Sequence, residues 1–356
     1  MSAVPRVSIL VKALNEEVKI AQCLSAALHE AAQVDGEVIL IDSLSIDRTV
    51  AIAQQFPVRI VQFDRAADRG CGAAVQLGFQ FARAEFVYVL DADMVLQPGF
   101  LPAALARLQA SPGLAGVGGK LLDLEVRTAS DRQRLATAET QAADQAAAEL
   151  GGGGLYRVAA LSQTGYLAHR WLAAYEEAEL GARLRQGGWG LLRLAMPAVV
   201  HHGHAEHNAQ MMLRLWRNGR ARASGTLLRA ALGKPWFGRL ARKQAFLLFV
   251  PGLHGLAWGA AALSGGGTAV KLAAWGSVWL AAWLVLAWRK GGPAAGAWTL
   301  LLWHFFTLAA VLGFWRPVAD PLLPVAGHEL DPPASVPGLH PPHNTPQPQS
   351  PGGQGY

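Results

Sequence analysis

Short apolar runs alternate with amphipathic stretches from the N-terminus to about residue 200. Arg6-Val-Ser-Ile-Leu-Val11 reads as a buried strand, Lys12-Ala-Leu-Asn-Glu-Glu17 follows it, and an amphipathic helix then runs to about Ala31. Glu37-Val-Ile-Leu-Ile-Asp42 is a second strand ending in an acid, and Ser45-Ile-Asp-Arg-Thr49 opens a helix with small polar capping residues. Val58 to Gln62 is a third strand, Gly70-Cys-Gly-Ala-Ala74 starts a helix to about Arg83, and Phe86-Val-Tyr-Val-Leu90 is a fourth strand. Strands alternating with helices predict βα units and a mainly parallel sheet, an α/β fold. Beyond Pro98 the pattern predicts a helix to about Ala110, a strand at Gly116–Leu122, a polar helix over Ser130–Leu150, a short acidic helix at Tyr175–Arg185 and a last strand at Leu191–Val200.

The second part of the chain is different in kind. Residues 206–243 are basic and amphipathic, with Leu, Trp and Phe interleaved among Arg214, Arg217, Arg220, Arg229, Arg239 and Lys243, the pattern of a segment lying in a membrane interface. Three apolar stretches follow within 244–316: Gln244–Leu263, Leu272–Trp288 and Ala297–Phe314. Each is near the roughly 17 to 25 residues that span a bilayer. Tryptophans close to their ends (Trp275, Trp288, Trp298, Trp315) fit interfacial belts. Pro251-Gly252 can kink the first stretch or make it re-entrant. Arg239, Arg242 and Lys243, and Arg289 with Lys290 after the second stretch, both favour the cytoplasm, which places the N-terminal domain inside. Three full spans put the tail outside, and a re-entrant first stretch does not. His254 and His304 fall within the spans, where an interhelical hydrogen bond is the expected role. Residues 317–356 are rich in Pro, Gly, His and Gln and read as a disordered tail.

Composition supports this division. Of 356 residues, 52% are hydrophobic and only 16% charged, and no Asp or Glu occurs between His207 and Ala319. The net charge of +6 therefore gathers beside apolar runs, which points to an anionic membrane surface and away from nucleic acid. Cys23 and Cys71 are too few for a disulfide framework and are expected reduced, in a cytosolic domain. No secretory signal is visible, since the first apolar run is short and interrupted by Lys12. The expected location is the inner, cytoplasmic membrane, with the 1–205 domain on its cytoplasmic face.

The candidate chemistry sits where strands end. The fourth strand runs into Asp91-Ala-Asp93, two hard oxygen ligands beyond a carboxyl end, where open α/β sheets bind ligands. Such a pair suits Mg²⁺ or Mn²⁺ shared with substrate phosphates. Together, VSILVKALNEE, ILIDSLSIDRT, EFVYVLDADM, YEEAELGARLRQGGW and VVHHGH, in that order over about residues 5 to 205, resemble glycosyltransferase family 2, the inverting enzymes of GT-A fold. The resemblance implies a membrane-anchored member of the kind that builds exopolysaccharide.

It further implies that Asn15, Glu16 and Asp42 hold the base and ribose of a nucleotide-sugar, and that Asp91 and Asp93 hold the divalent ion against its diphosphate. The acidic pair of such enzymes falls on Glu176 and Glu177, with Glu177 the general base and Glu176 its rival. Where the family often has Pro this chain has Lys12, where it often has a second Asp this chain has Ser43, and Glu177 stands for the usual Asp. Arg69, before the Gly70-Cys-Gly72 turn, is a candidate for neutralising phosphate charge, and the turn's N–H groups are candidates for meeting a phosphate. A histidine can complete the metal shell, His202 first and His204 next. Arg183 is expected to orient the acids.

The leading reading is transfer of a sugar from a nucleotide donor, a UDP-sugar, to a hydroxyl of a lipid-linked acceptor. Direct transfer to polyprenyl phosphate or another lipid alcohol is the alternative within the class. Processive synthesis fits less well, because Leu213–Arg220 does not match QxxRW. Outside the class stand a nucleotidyltransferase, which wants a Gly-rich loop where this chain has KALNEE, and a non-catalytic membrane scaffold.

Overall fold

The computed structural model describes residues 4–124, 129–202 and 208–331. His204 and residues 332–356 lie outside them. One mixed sheet organises the N-terminal domain. Its strands are β1 (Val7–Ala13), β2 (Glu37–Asp42), β3 (Arg59–Phe63), β4 (Phe86–Asp91), β5 (Met94–Leu96), β6 (Leu114–Asp123), β7 (Gln145–Ala146), β8 (Gly154–Arg157), β9 (Gly190–His201) and β10 (Gly327–Glu329). They lie in the order β10-β3-β2-β1-β4-β8-β6-β9-β5, with β7 also on β9. The β3-β2-β1-β4 block is parallel, so those four strands deliver their carboxyl ends to one edge.

Burial on both faces explains the unbroken apolar runs. Along β1, Val7, Ile9 and Val11 pack on one side with α1 (Ile20–Ala32), while Leu10 packs on the other with helix Cys71–Phe81. The helices of the domain are α1, α2 (Thr49–Ala53), α3 (Cys71–Phe81), α4 (Phe100–Ala110), α5 (Ala129–Thr140), α6 (Val158–Thr164) and α7 (Glu176–Gln186). Two glycines allow close approaches: a Cβ at Gly72 would lie 2.3 Å from the His169 carbonyl oxygen, and one at Gly181 would lie 2.2 Å from that of Ala148.

Three expectations need correction. The polar helix over Ser130–Leu150 stops at Thr140, because the chain that follows is claimed by β9. Gln141 donates to the Arg193 carbonyl (3.0 Å), Asp144 accepts from the Ala195 N–H (2.9 Å), and β7 pairs with Leu192 and Arg193. The basic stretch 206–243 is three short helices, α8 (Asn208–Arg217), α9 (Ala223–Ala231) and α10 (Phe237–Lys243), and it is not wholly interfacial. Leu227, Ala231 and Leu240 are buried in a cluster with Leu172 and with Ala178 and Ala182 of α7.

The tail is the third. Residues 320–331 fold back onto the catalytic domain, although their composition reads as disordered. β10 extends the sheet antiparallel to β3, Val325 is buried, Gln80 exchanges two hydrogen bonds with the Val325 backbone, and Glu329 takes both guanidinium branches of Arg59 (2.8 and 2.7 Å). Edge pairing supplies what the side chains lack, since an unpaired β3 edge offers ready backbone partners.

Three helices, α11 (Phe249–Leu263), α12 (Thr268–Lys290) and α13 (Pro293–Phe314), follow α10; with the turn before α11 they give three segments long and apolar enough to cross a membrane. α12 packs antiparallel between the other two, and the end of α13 returns to the domain, where Thr226 of α9 donates to the Gly313 carbonyl. His304 does not bond across helices. It pairs with the Leu300 carbonyl of its own helix (2.8 Å), and its ring packs edge-on to His254 at 5.6 Å.

Candidate active site

The carboxyl ends of β1 and β4 and the start of α7 converge on Lys12. Its Nζ lies 3.0 Å from Asp91 Oδ1 and donates to Glu176 Oε1 at 3.1 Å. Burial opposes the ammonium charge, yet Asp91 and Glu176, joined by Cys71 and Glu177, hold its pKa well above the usual lysine value. Lys12 thus ties the expected metal side to the expected base side. The signal for it was in the sequence, a single cation closing an apolar strand.

Glu177, the next residue of α7, is half-buried, and its pKa is pushed up to about 8 by burial and then by its neighbour Glu176, with Lys12 pulling the other way. Tyr175 opens α7 at φ 68°, a left-handed turn that starts the helix with both acids at its first turn. Glu179 points elsewhere. It pairs with Arg183 in the core (3.1 Å) and accepts from the Tyr166 hydroxyl (2.8 Å), while the Arg183 guanidinium lies 3.7 Å over the Tyr166 ring. Arg183 therefore fixes Glu179 and does not reach Glu176 or Glu177 through any of its bonds.

Around Asp93 the structure brings together residues that the sequence had spread. His201, at the end of β9, sits with Nε2 3.3 Å from Asp93 and Nδ1 2.8 Å from Asp123, which is itself paired with Arg134. The Asp93 contact, against an opposing burial cost and with help from Asp123, raises the His201 pKa to about 9, so the ring is a cation at neutral pH. His202, the expected ligand, meets this corner through its backbone: its N–H donates to the Asp93 carbonyl and its own carbonyl accepts from Lys19. Glu16 joins the acids as well, its pKa raised to about 7 by burial and by Asp93.

The expected nucleotide contacts are set in two laced loops. Asn15, at φ 56°, accepts from the Ile46 N–H, and the Glu16 N–H donates to Thr49. Asp42 is fully buried at the end of β2, where it caps the turn at Ser45 (3.1 Å) and accepts from Gln62 (2.8 Å). Arg69 lies beside it and donates to the Ser43 carbonyl (3.2 Å). In the Gly70-Cys-Gly72 turn the Gly72 N–H is taken by the Leu172 carbonyl, so its role is packing.

Two further residues were missed, Asp123 and Arg220. A cleft of about 360 Å³ leads from Glu177 past Tyr175 and Arg220 to Leu215 of α8 and Phe306 of α13. Arg220 adds a cation there, its pKa raised, against burial, by Cys71, Glu176 and Asp91. One wall of this cleft thus carries Glu177 and Arg220, and the other belongs to the apolar helices.

A divalent ion fits the donor set. Asp91, Asp93 and Glu16 are hard oxygen donors, although among the described residues no three His, Cys, Asp or Glu side chains form a ready-made cage. A site of this type takes one or two carboxylates from the protein and the rest from phosphate and water.

A parallel block of strands delivering carboxylates to one edge, with antiparallel strands completing the sheet, is a GT-A-like α/β fold. The mannosyltransferase PcManGT from Pyrobaculum calidifontis, solved in complex with GDP-Man and Mn²⁺, superposes with a TM-score of 0.59 at 20% identity, over 88% of both chains. Residues 8–144 match the profile of glycosyl transferase family 2. The succinoglycan biosynthesis protein ExoO of Rhizobium meliloti is 33% identical over 111 residues, 30% of this chain and 31% of that one. The low-salt glycan biosynthesis hexosyltransferase Agl6 of Haloferax volcanii is 33% identical over 119 residues, 33% of this chain and 28% of that one. The chain thus spans under a third of the length of these curated relatives.

Proposed function

We propose that this protein is a metal-dependent inverting glycosyltransferase that moves a sugar from a nucleotide-diphosphate donor, a UDP-sugar, to a lipid-linked acceptor at a membrane surface. One observation carries the reading: Lys12 draws Asp91 and Glu176 to a single point beside Glu177, at the mouth of a cleft that runs to the apolar helices. The relatives named for succinoglycan and glycan biosynthesis, and the structural neighbour holding GDP-Man and Mn²⁺, support the same class.

Asp91 and Asp93 would hold Mg²⁺ or Mn²⁺, whose chemistry is to neutralise charge gathering on the departing diphosphate. The acceptor oxygen forms its bond to the sugar C1 from the face opposite the leaving group, while the bond from C1 to the diphosphate oxygen breaks. Glu177 takes the proton of an acceptor hydroxyl, which it does only as the carboxylate. Lys12 bridges the neighbouring Glu176 and Asp91. Arg220, in the cleft beside Glu177, favours an acceptor that carries phosphate. A polyprenyl-diphosphate-linked saccharide and polyprenyl phosphate itself both qualify. They separate on Glu177→Gln, which abolishes transfer to a hydroxyl but spares transfer to a phosphate that needs no base.

Free UDP release by membranes, tested with metal and a panel of nucleotide sugars, checks the whole reading. Pyrophosphate release would indicate a nucleotidyltransferase, and no turnover with any donor a scaffold.

For the membrane part, parity supports a two-crossing hairpin. β10 pairs with β3 after α13, so the chain returns to the side it left. α12 and α13, with 23 and 22 residues, reach about 33 Å and cross the roughly 30 Å core. α11, with 15 residues and Pro251 in its first turn, does not cross. Arg289 and Lys290 then lie at the far turn, against the orientation their charges favour; the β10 pairing outweighs them.

A further inference from the structure

We propose that a basic groove between the catalytic domain and α10 is a binding site for the phosphate headgroup of an anionic membrane lipid, separate from the nucleotide-sugar site. The groove has a volume of about 520 Å³. Its walls carry Arg185 of α7, Arg193 of β9, and Arg239, Arg242 and Lys243 of α10, and Glu149 is the one acid among the lining residues.

Five cations thus face one carboxylate, and only Lys243 is paired with it. The others bond to neutral acceptors or to nothing. Arg185 donates to the Gly181 carbonyl, Arg193 to those of Gly119 and Glu149, and Arg239 to the Gln186 side-chain oxygen. The Arg242 side chain has no hydrogen bond or ion pair among the described residues. Guanidinium groups stay charged under all ordinary conditions, so the groove presents four uncompensated positive charges to whatever enters it.

Position selects the ligand. Lys243 stands two residues before Ala245, where the first apolar segment begins, so the groove lies at the boundary between water and hydrocarbon. α10 is held at that height by Leu240, which is buried against Leu227 and Ala231 of α9 and Ala178 and Ala182 of α7. From His207 to Ala319 no acidic residue opposes an anionic surface. A basic pocket beside membrane helices recognises a lipid phosphate through its charge while the acyl chains stay among the apolar helices. A headgroup seated here would hold the C-terminal end of α7, which carries Arg185 and the Gln186 contact, and so steady the helix that begins with Glu176 and Glu177.

The test uses the full chain in nanodiscs and in detergent. Native mass spectrometry reads retention of phosphatidylglycerol against phosphatidylcholine. Wild type should retain phosphatidylglycerol at least about tenfold better. Arg239→Gln with Arg242→Gln should lose the preference, while Arg239→Lys with Arg242→Lys and the remote pair Arg289→Gln with Lys290→Gln should keep it. Thermal unfolding in phosphatidylcholine discs checks that each variant is folded. If the double variant fails there, Arg242→Gln alone replaces it, since that side chain has no partner to lose. Equal retention of the two lipids by wild type, or an unchanged preference in the Gln variant, overturns the proposal. Displacement of the lipid by millimolar sn-glycerol 3-phosphate would also overturn it, because the site would then serve a soluble phosphate.

Discussion

Removing the Lys12 ammonium tests the site at the point where its two halves meet. In Lys12→Met the strand keeps its volume, but Asp91 and Glu176 lose contacts of 3.0 and 3.1 Å. At an effective dielectric of about 20, each is worth about 5 kcal/mol before desolvation is counted. Asp91 is 38% exposed and its share is screened, whereas Glu176 is 8% exposed and is left as a buried carboxyl without its ion-pair partner. The net loss should be about 2–3 kcal/mol, or a fall in Tm of about 5–10 °C for a domain of this size.

The rate gives a sharper reading, because Lys12 also holds down the Glu177 pKa, which stands at about 8. The base form accumulates as pH rises through that value, so at pH 7 about a tenth of the enzyme is competent. If losing Lys12 raises the pKa by about one unit, the competent fraction at pH 7 falls about tenfold, and the rate recovers in alkaline buffer. The assay is kcat/KM for UDP release from pH 6 to 10 at fixed metal, with Lys12→Arg as the charge-keeping control. An acidic limb that does not move in Lys12→Met, with Tm within a degree of wild type, would refute the reasoning.

Glu177→Gln should lower kcat on a hydroxyl acceptor by about a hundredfold or more. The same change should raise Tm above pH 8: folding raises this carboxyl's pKa, so the protonated form is favoured, and the stability present below the ordinary carboxylate value is lost as pH rises through about 8. Asp93→Asn should abolish the Mn²⁺-dependent thermal stabilisation by donor and return the His201 pKa toward the usual histidine range, visible by NMR titration. A reporter fused after Asp331 should lie on the same side of the membrane as one fused to the N-terminus; opposite sides would rule out the two-crossing hairpin. Glu329→Ala should cost only about 1 kcal/mol, since the Arg59 pair is partly exposed, whereas Val325→Asp should detach the strap of residues 320–331 and expose it to proteolysis.

What was legible in the chain and what was not divides by how local the determinant is. The parallel strands were readable because each is buried on both faces and so carries an unbroken apolar run: Ile39 and Ile41 pack to one side of β2, Val38 and Leu40 to the other. Asp91 and Glu176 were readable as acids at the ends of such elements. Lys12 was noted only as a departure from the family pattern, because its importance comes from two partners 79 and 164 residues away that no window of sequence joins. The choice of His201 over His202 is a matter of strand parity. β9 runs through His201 and turns that ring toward Asp93 and Asp123, while the next residue has left the strand and contributes its backbone. The strap was hidden for a related reason: Gly327-His-Glu329 has no strand-like side chains, and what orders it is the open edge of β3 and an arginine some 270 residues earlier. The proposed two-crossing hairpin rests on the same contact, since it keeps a tail bonded to the first domain's sheet on that domain's side. Composition alone, with Arg289 and Lys290 placed as they are, argues the other way. The proposed membrane arrangement therefore rests on a three-residue ladder at the far edge of the sheet and not on the apolar helices themselves.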